Sequence, residues 1–427
     1  MMLQEAIRCP QCTDAVCRPA CPLGIDIPAF IRLLREGDVV GALAKIQEHN
    51  DLPGICGRLC LAPCETACIL EKEKSPIGIR ALERYAHDHG RPRFAAKRPA
   101  TPQGKKIAVV GSGPAGLTSA AQLAKFGFRV TIFEALPEPG GMLRYGVPEF
   151  RLPRHVLDAK IEDIRLLGVE IKTGSPVGRS LSLDELAGQG YTAVFLTIGK
   201  SGPASFDTIP GTQGRGVYYG KEILWEMNSG ARSHFKDRLT AKIGRRVVVL
   251  GSGAGALDCA RICVRLGRAA TLIFPETYED LRIYPADREA AKAEGVNFEA
   301  LTQPLEILLG ADHQVMGVRC VRLDFADADG SGKWRLLPVP DSELTVEADT
   351  VIVAPAFKTD AAAFGLPADL KINADGSLWT DPATGMTSRR GVFAAGDAVE
   401  GCHTLVDAMA SAKQAAVMVR QFLQREA

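Results

Sequence analysis

The sequence has no stretch approaching about 18 uninterrupted apolar residues, so no membrane-spanning helix is expected. Net charge is nearly absent: 51 basic residues stand against 50 acidic ones, leaving +1. That balance gives no basic face for nucleic acid and no acidic tail. The opening, MMLQEAIRCPQC, lacks the apolar core of a signal peptide, and a cytoplasmic protein is expected. Cysteine is missing from residues 69 to 258, which excludes a reactive thiol pair in that part of the chain. What remains is ordinary for a folded protein: 427 residues, 46% apolar and 24% charged, enough for two or three domains.

Cysteine is instead concentrated at the front. Eight of the twelve lie at Cys9, Cys12, Cys17, Cys21, Cys56, Cys60, Cys64 and Cys68. In a large chain without an export signal, such clusters point to metal rather than to disulfides. The first run, C-x2-C-x4-C-x3-C-P, packs four cysteines before a proline. Zinc ribbons use two separated pairs, so this spacing favours a 4Fe–4S cluster over zinc. In two-cluster ferredoxin motifs the fourth cysteine of one run ligates the other cluster, so a four-plus-four division is not the default. Cys259 and Cys263, one helical turn apart, read as packing residues, and Cys320 and Cys402 have no partner pattern.

Helical periodicity between the cysteine runs gives way at 87–106, HDHGRPRFAAKRPATPQGKK, to a stretch with the composition of a linker. An internal repeat follows. KKIAVVGSGPAGLTSAAQLAKFGFRVTIFE (105–134) and RRVVVLGSGAGALDCARICVRLGRAATLIF (245–274) share one plan: strand, glycine loop, helix, glycine, strand. Two βαβ units of one design imply two dinucleotide sites. In the first, Gly111 permits the turn, Gly113 lets backbone approach a pyrophosphate, and Gly116 lets helix and strand pack closely. Pro114 and Ala115 open the helix whose N-terminus faces the phosphates, and Glu134 ends the second strand where a ribose diol is expected. The second unit keeps Gly251 and Gly253, followed by Ala254, with Ala256 at the third position. Phe274, then Pro275 and Glu276, stand where the first unit has Glu134, and no arginine pair follows for a 2′-phosphate.

A third segment, RRGVFAAGDAVEGCHTLVDAMASAKQAAVMVRQFL (389–423), reads as a buried strand, a turn at Gly396-Asp397 and a long helix. Asp397 is suited to the ribityl hydroxyls of FAD. A helix starting near Thr404 and Leu405 can present its N-terminus to the flavin ring.

The eight N-terminal cysteines, VVGSGPAGL, GGMLRYGVPEFRLP (140–153), IPG (209–211), the second glycine loop and GVFAAGD together resemble one family over nearly the whole chain. That family is the glutamate synthase small (β) subunit and its relatives among FAD and iron–sulfur oxidoreductases, including dihydropyrimidine dehydrogenase and NADH-dependent ferredoxin:NADP oxidoreductase. The resemblance implies an α/β fold with two Rossmann-like three-layer domains, for FAD and for NAD(P), behind an α-helical two-cluster iron–sulfur domain. The expected bounds are 1–100 for the helical domain, 104–209 plus 358–427 for the FAD domain, and 210–357 for an inserted NAD(P) domain. It further implies flavin contacts at Gly141 and Met142. One cluster is expected on Cys9, Cys12, Cys17 and Cys68, the other on Cys21, Cys60, Cys64 and Glu83, with Cys56 spare.

Two departures from that pattern concern the nicotinamide. NADP-binding members carry adjacent arginines where this chain has Phe274-Pro275, and the usual late glycine is Ala356. Only eight residues precede Cys9, so a partner subunit is expected over that end. The function implied is electron transfer between NADH or NADPH and a catalytic or electron-accepting subunit, a ferredoxin included, through FAD and two clusters. The rivals are a self-contained reductase of a small substrate, for which no catalytic acid is visible, and a non-enzymatic wiring subunit with a vestigial nucleotide domain.

Overall fold

Short β-branched runs between amphipathic helices build two parallel sheets. The computed structural model describes residues 2–73, 75–90, 104–200, 202–203, 209–229, 235–326, 334–355, 357–399 and 404–425. Ala356, Cys402 and most of the expected linker lie outside those residues. Contacts divide the chain into two units. The first comprises Met1–Arg144, Glu149–Gly202 and Lys358–Ala427; the second comprises Tyr145–Pro148 and Pro203–Phe357.

The first unit begins with short helices, among them Ile27–Arg35, Val39–Gln47, Pro53–Leu59 and Ile79–Gly90. Asp26 and Asp38 cap the first two, and Asp38 Oδ1 accepts from the Gly41 N–H at 2.8 Å. Phe30, Ile31, Leu34, Leu43, Ile46 and Leu82 form their shared apolar face, each nearly inaccessible. Next comes a five-stranded parallel sheet in the spatial order Val392–Ala394, Tyr191–Leu196, Lys106–Val110, Arg129–Phe133, Glu170–Lys172. Its strands read as continuous apolar runs because helices cover both faces of such sheets. Asp51, buried in the helical segment, binds the Gln122 amide at 2.6 Å and the Lys125 ammonium on the helix Pro114–Lys125. That ties the helical segment to the sheet's first crossover.

The second unit repeats the plan. Its parallel sheet runs Val217–Tyr219, Thr350–Val353, Arg246–Leu250, Ala269–Ile273, Asn297–Glu299. The repeated strands thus occupy equivalent places in both sheets. A second, antiparallel sheet of Thr302–Leu309, Val315–Ala326 and Arg335–Glu347 was not foreshadowed by the glycine-loop repeat. Cys259 and Cys263 are fully buried, as packing residues should be, and Cys320 is buried as well.

Glu294 joins two elements of this unit by accepting from Arg261 and Arg265, each at 2.6 Å. The Arg261 hydrogen bond, helped by Arg265, holds its carboxyl down at about 2. Because the folded value lies below the unfolded one, this stabilisation is complete above the ordinary carboxylate range and fades as pH falls toward 2. Glu294→Gln should therefore destabilise the protein by about 1 kcal/mol at neutral pH. Urea unfolding of both forms as pH is lowered should show the difference closing.

Candidate functional site

The eight thiols gather at two cavities, and they interleave. Cys9, Cys12 and Cys17 of the first run line one cavity together with Cys68 of the second, against Ile27, Ile31 and Ile79. Cys21 of the first run lines the other with Cys56, Cys60, Cys64 and Glu83. The loops bearing them are bent by residues in the left-handed region, Gln11 and Ala62, both with φ of 55°. Each bend turns a donor onto a sulfur. The Gln11 side-chain amide donates to Cys9 Sγ at 3.5 Å, and the Ala62 N–H to Cys60 Sγ at 3.2 Å.

Burial pushes the Cys17 thiol up to about 11 and the Cys60 thiol up to about 12. Such groups hold no negative charge near neutrality unless a cation displaces the proton. Among the described residues no three His, Cys, Asp or Glu converge tightly enough for a single ion. Four thiols on each cavity, from loops with the cysteine spacing of iron–sulfur runs, are a donor set suited to a 4Fe–4S cluster.

Glu83, on the helix Ile79–Gly90, is 7% exposed, and burial pushes its carboxyl up to about 8. Asn50 Nδ2 donates to Glu83 Oε1 at 2.6 Å, while Asn50 Oδ1 accepts from the Leu52 N–H at 2.8 Å. Asn50 thus orients Glu83, a role that no local pattern marks. Cys56 is 1% exposed; its thiol lies 3.8 Å from Asn50 Oδ1 and 3.6 Å from Met409 Sδ. Val406, one turn from Met409 on the helix Leu405–Arg425, also lines the second cavity.

At the first glycine loop, Gly111 has φ of +102°, and a Cβ there would meet the Thr197 carbonyl oxygen at 2.5 Å. A Cβ on Gly116 would fall 2.0 Å from the Gly111 carbonyl oxygen. Gly113 is different: among the described residues a Cβ there meets nothing within 4 Å. Pro114 and Ala115 begin the helix behind it. Glu134 Oε2 accepts from the Ser112 N–H at 3.0 Å and from its hydroxyl, and Oε1 accepts from the Leu136 N–H at 2.8 Å. Gly141, with φ of +51°, abuts Gly113, and Met142, 40% exposed, begins the next turn of helix.

Gly396 has φ of +70°, and its Cβ would strike Ala115 Cβ at 2.6 Å, so the late turn packs on the same helix start. Asp397 pairs with Lys200 at 3.9 Å. Thr404 and Asp407 cap the helix Leu405–Arg425 reciprocally: the Asp407 N–H donates to Thr404 Oγ1 at 3.2 Å, and the Thr404 N–H to Asp407 Oδ2 at 3.1 Å. Gly111, Gly113, Gly116, Gly141 and Gly396 thus meet around one helix N-terminus, a cradle suited to an anionic dinucleotide.

In the second unit, Gly251 has φ of +146° and faces the Ala354 carbonyl oxygen, while among the described residues a Cβ on Gly253 again meets nothing within 4 Å. Ala254 begins the helix Ala254–Arg265. Of the YGVPEFRLP motif, Tyr145–Pro148 belongs to this unit, where Tyr145 stacks on Trp225 at 4.6 Å.

A family model for dihydropyrimidine dehydrogenase domain II, 4Fe-4S cluster, matches residues 1–93, and one for pyridine nucleotide-disulphide oxidoreductase matches residues 105–416. The NADP(+)-dependent formate dehydrogenase subunit beta of Moorella thermoacetica is 35% identical, over 96% of this chain and 60% of its own length. The glutamate synthase (NADPH) small chain of Escherichia coli (strain K12) is 31% identical, over 98% of this chain and 91% of its own. FprA of Mycobacterium tuberculosis, solved in complex with NADPH, shares the fold at a TM-score of 0.62 and 19% identity, covering 76% of this chain and 85% of FprA. No described helix is long and apolar enough to cross a membrane. The thiol-lined helical segment and the paired glycine-loop units are thus those of the pyridine nucleotide-disulphide oxidoreductase family, in the branch with an N-terminal 4Fe–4S domain that includes the glutamate synthase small chain, and the chain belongs to it.

Proposed function

We propose that this chain is the electron-transfer subunit of a larger oxidoreductase, exchanging hydride with NADH or NADPH and single electrons with a protein partner. The observation that carries this reading is the interleaving of the thiols at two separate cavities. Cys9, Cys12, Cys17 and Cys68 hold one 4Fe–4S cluster. Cys21, Cys60, Cys64 and Glu83 hold the second, with Cys56 engaged by Asn50 and Met409. The isoleucine walls exclude water, and the N–H groups aimed at Cys9 and Cys60 stabilise sulfur-borne charge.

The helical domain spans 1–100, the FAD domain 104–209 with 358–427, and the nucleotide domain 210–357. The FAD is held by Gly111, Gly113, Gly116, Glu134, Gly141, Met142, Gly396, Asp397, Thr404 and Leu405; the nicotinamide nucleotide is held by Gly251, Gly253 and Ala254. When bound, the flavin supplies the change from two-electron to one-electron chemistry, and the clusters carry the single electrons. Val406 and Met409 bring the helix Leu405–Arg425 against the second cavity, which favours that cavity as the one nearer the flavin.

The chain spans 60% of its formate dehydrogenase relative and 64% of the NADPH-Fe(3+) oxidoreductase subunit beta of Geobacter sulfurreducens. Both relatives are named as subunits, which supports an electron-accepting or catalytic protein as the partner of this chain, a ferredoxin being one form it can take. Anaerobic titration of cluster-loaded protein with each nicotinamide should bleach the flavin and raise cluster EPR signals with one of them. Reduction by dithionite alone, with neither nucleotide effective, would overturn the enzyme reading in favour of a wiring subunit.

A further inference from the structure

We propose that Glu276 selects the coenzyme: its carboxylate accepts from the adenosine ribose hydroxyls of NADH and repels the 2′-phosphate of NADPH. This rests on the reading of the second unit as the nicotinamide site. The relatives described above carry NADP or NADPH in their names, so the inference sets this chain apart from them.

The placement comes from strand register. Leu250 pairs with Ile273, and the Gly251 N–H donates to the Ile273 carbonyl at 3.2 Å. The glycine loop and the segment beginning at Phe274 therefore leave the sheet side by side. In such units the residues just past the second strand meet the adenosine ribose. Phe274 takes the register of Glu134 but is fully buried, edge-on to Phe298 at 6.3 Å. It has no polar atom to offer a diol.

Two residues further on, the Glu276 carbonyl accepts from the Leu301 N–H at 3.0 Å, which fixes that residue beside the sheet end. Its side-chain Oε2 is shielded from solvent and has no hydrogen-bond partner among the described residues. A shielded carboxylate oxygen without a donor is costly, so the Glu276 side chain gains by turning outward to a ribose diol, which supplies donors. In the first unit the corresponding carboxylate already has protein donors, from Ser112 and Leu136.

Charge acts in the same direction. Residues 274–289 carry five carboxylates, Glu276, Glu279, Asp280, Asp287 and Glu289, against two arginines, Arg282 and Arg288. The Arg288 guanidinium is committed to the Glu279 carbonyl at 2.8 Å and to that of Tyr278, whose ring lies 5.1 Å beneath it. Lys292 stands over the other part of that ring at 5.8 Å. The local field is negative, and a dianionic phosphate would enter against it.

The test is calorimetry on the cofactor-loaded protein with NADH and NADPH, repeated with AMP and its 2′-phosphorylated form, which need no electron transfer. NADH should bind at least about tenfold more tightly than NADPH, and AMP more tightly than its 2′-phosphate. Glu276→Gln should weaken NADH by about tenfold and narrow the preference, with FAD content unchanged. Glu276→Arg should reverse it. Tighter binding of NADPH by the unaltered protein, or an unchanged preference in Glu276→Gln, overturns the proposal while leaving the nucleotide site standing. Binding of neither coenzyme overturns both.

Discussion

Cys68→Ser is expected to give the same EPR spectrum and the same iron loss as Cys9→Ser, although the two residues lie in different runs of the sequence. Both line the first cavity, while Cys21, which shares a run with Cys9, lines the second. Each of these variants should therefore fall from about eight irons per chain to about four, with FAD retained. Cys21→Ser, Cys60→Ser and Cys64→Ser should form the complementary group, losing the other signal. Cys56→Ser should keep both, because that thiol is occupied by Asn50 Oδ1 and Met409 Sδ. A grouping by sequence run, with Cys68→Ser matching Cys60→Ser, would overturn the assignment. So would a Cys56→Ser variant that loses a cluster while Glu83→Ala does not. On the proposed electron path through both clusters, partner reduction should fall by orders of magnitude in both groups.

The interleaving was accessible from spacing only as a warning that two runs need not mean two self-contained sites. What joins Cys68 to Cys9 is the packing of isoleucines from several helices around one cavity, a long-range consequence of apolar burial that no local spacing encodes. Local chemistry was more legible. The glycine loops announced themselves because backbone approach leaves few alternatives at Gly111 and Gly116, where a Cβ would collide with backbone oxygens. The cap at Thr404 was equally readable, since a hydroxyl followed three residues later by Asp407 is a local pattern. Asn50 was not, because its role depends on meeting a helix that begins almost thirty residues later. The antiparallel sheet of the second unit escaped for a related reason: its strands alternate partly exposed residues and carry no motif. Phe274 shows the opposite failure. It marked the absence of a carboxylate at one position, whereas Glu276, two residues further along, has a side-chain oxygen without a partner among the described residues.

Gly113→Ala should abolish stoichiometric FAD binding while leaving the fold intact, and Gly116→Ala should do the reverse of that separation. Gly113 has φ of −67° and ψ of −173°, a conformation open to any residue, and its Cβ would meet no atom of the described residues within 4 Å. Among the described residues nothing demands glycine there; on the proposed assignment the demand comes from FAD, whose phosphates would come closer than a methyl group allows. The added methyl should cost FAD affinity about 100-fold or more, read as the flavin-to-protein ratio after gel filtration and as a dissociation constant by flavin fluorescence. Unfolding of the flavin-free form should match the unaltered protein. At Gly116 the same methyl would sit 2.0 Å from the Gly111 carbonyl oxygen and 2.9 Å from Thr197 Oγ1, so helix and strand must separate. That variant should lose about 2 kcal/mol or more in the flavin-free form itself. Full flavin occupancy in Gly113→Ala would show that the open space over Gly113 serves some other purpose than the pyrophosphate. Gly253→Ala, equally free of protein contacts, should weaken the nicotinamide nucleotide and leave FAD in place, which assigns the two loops to two different ligands.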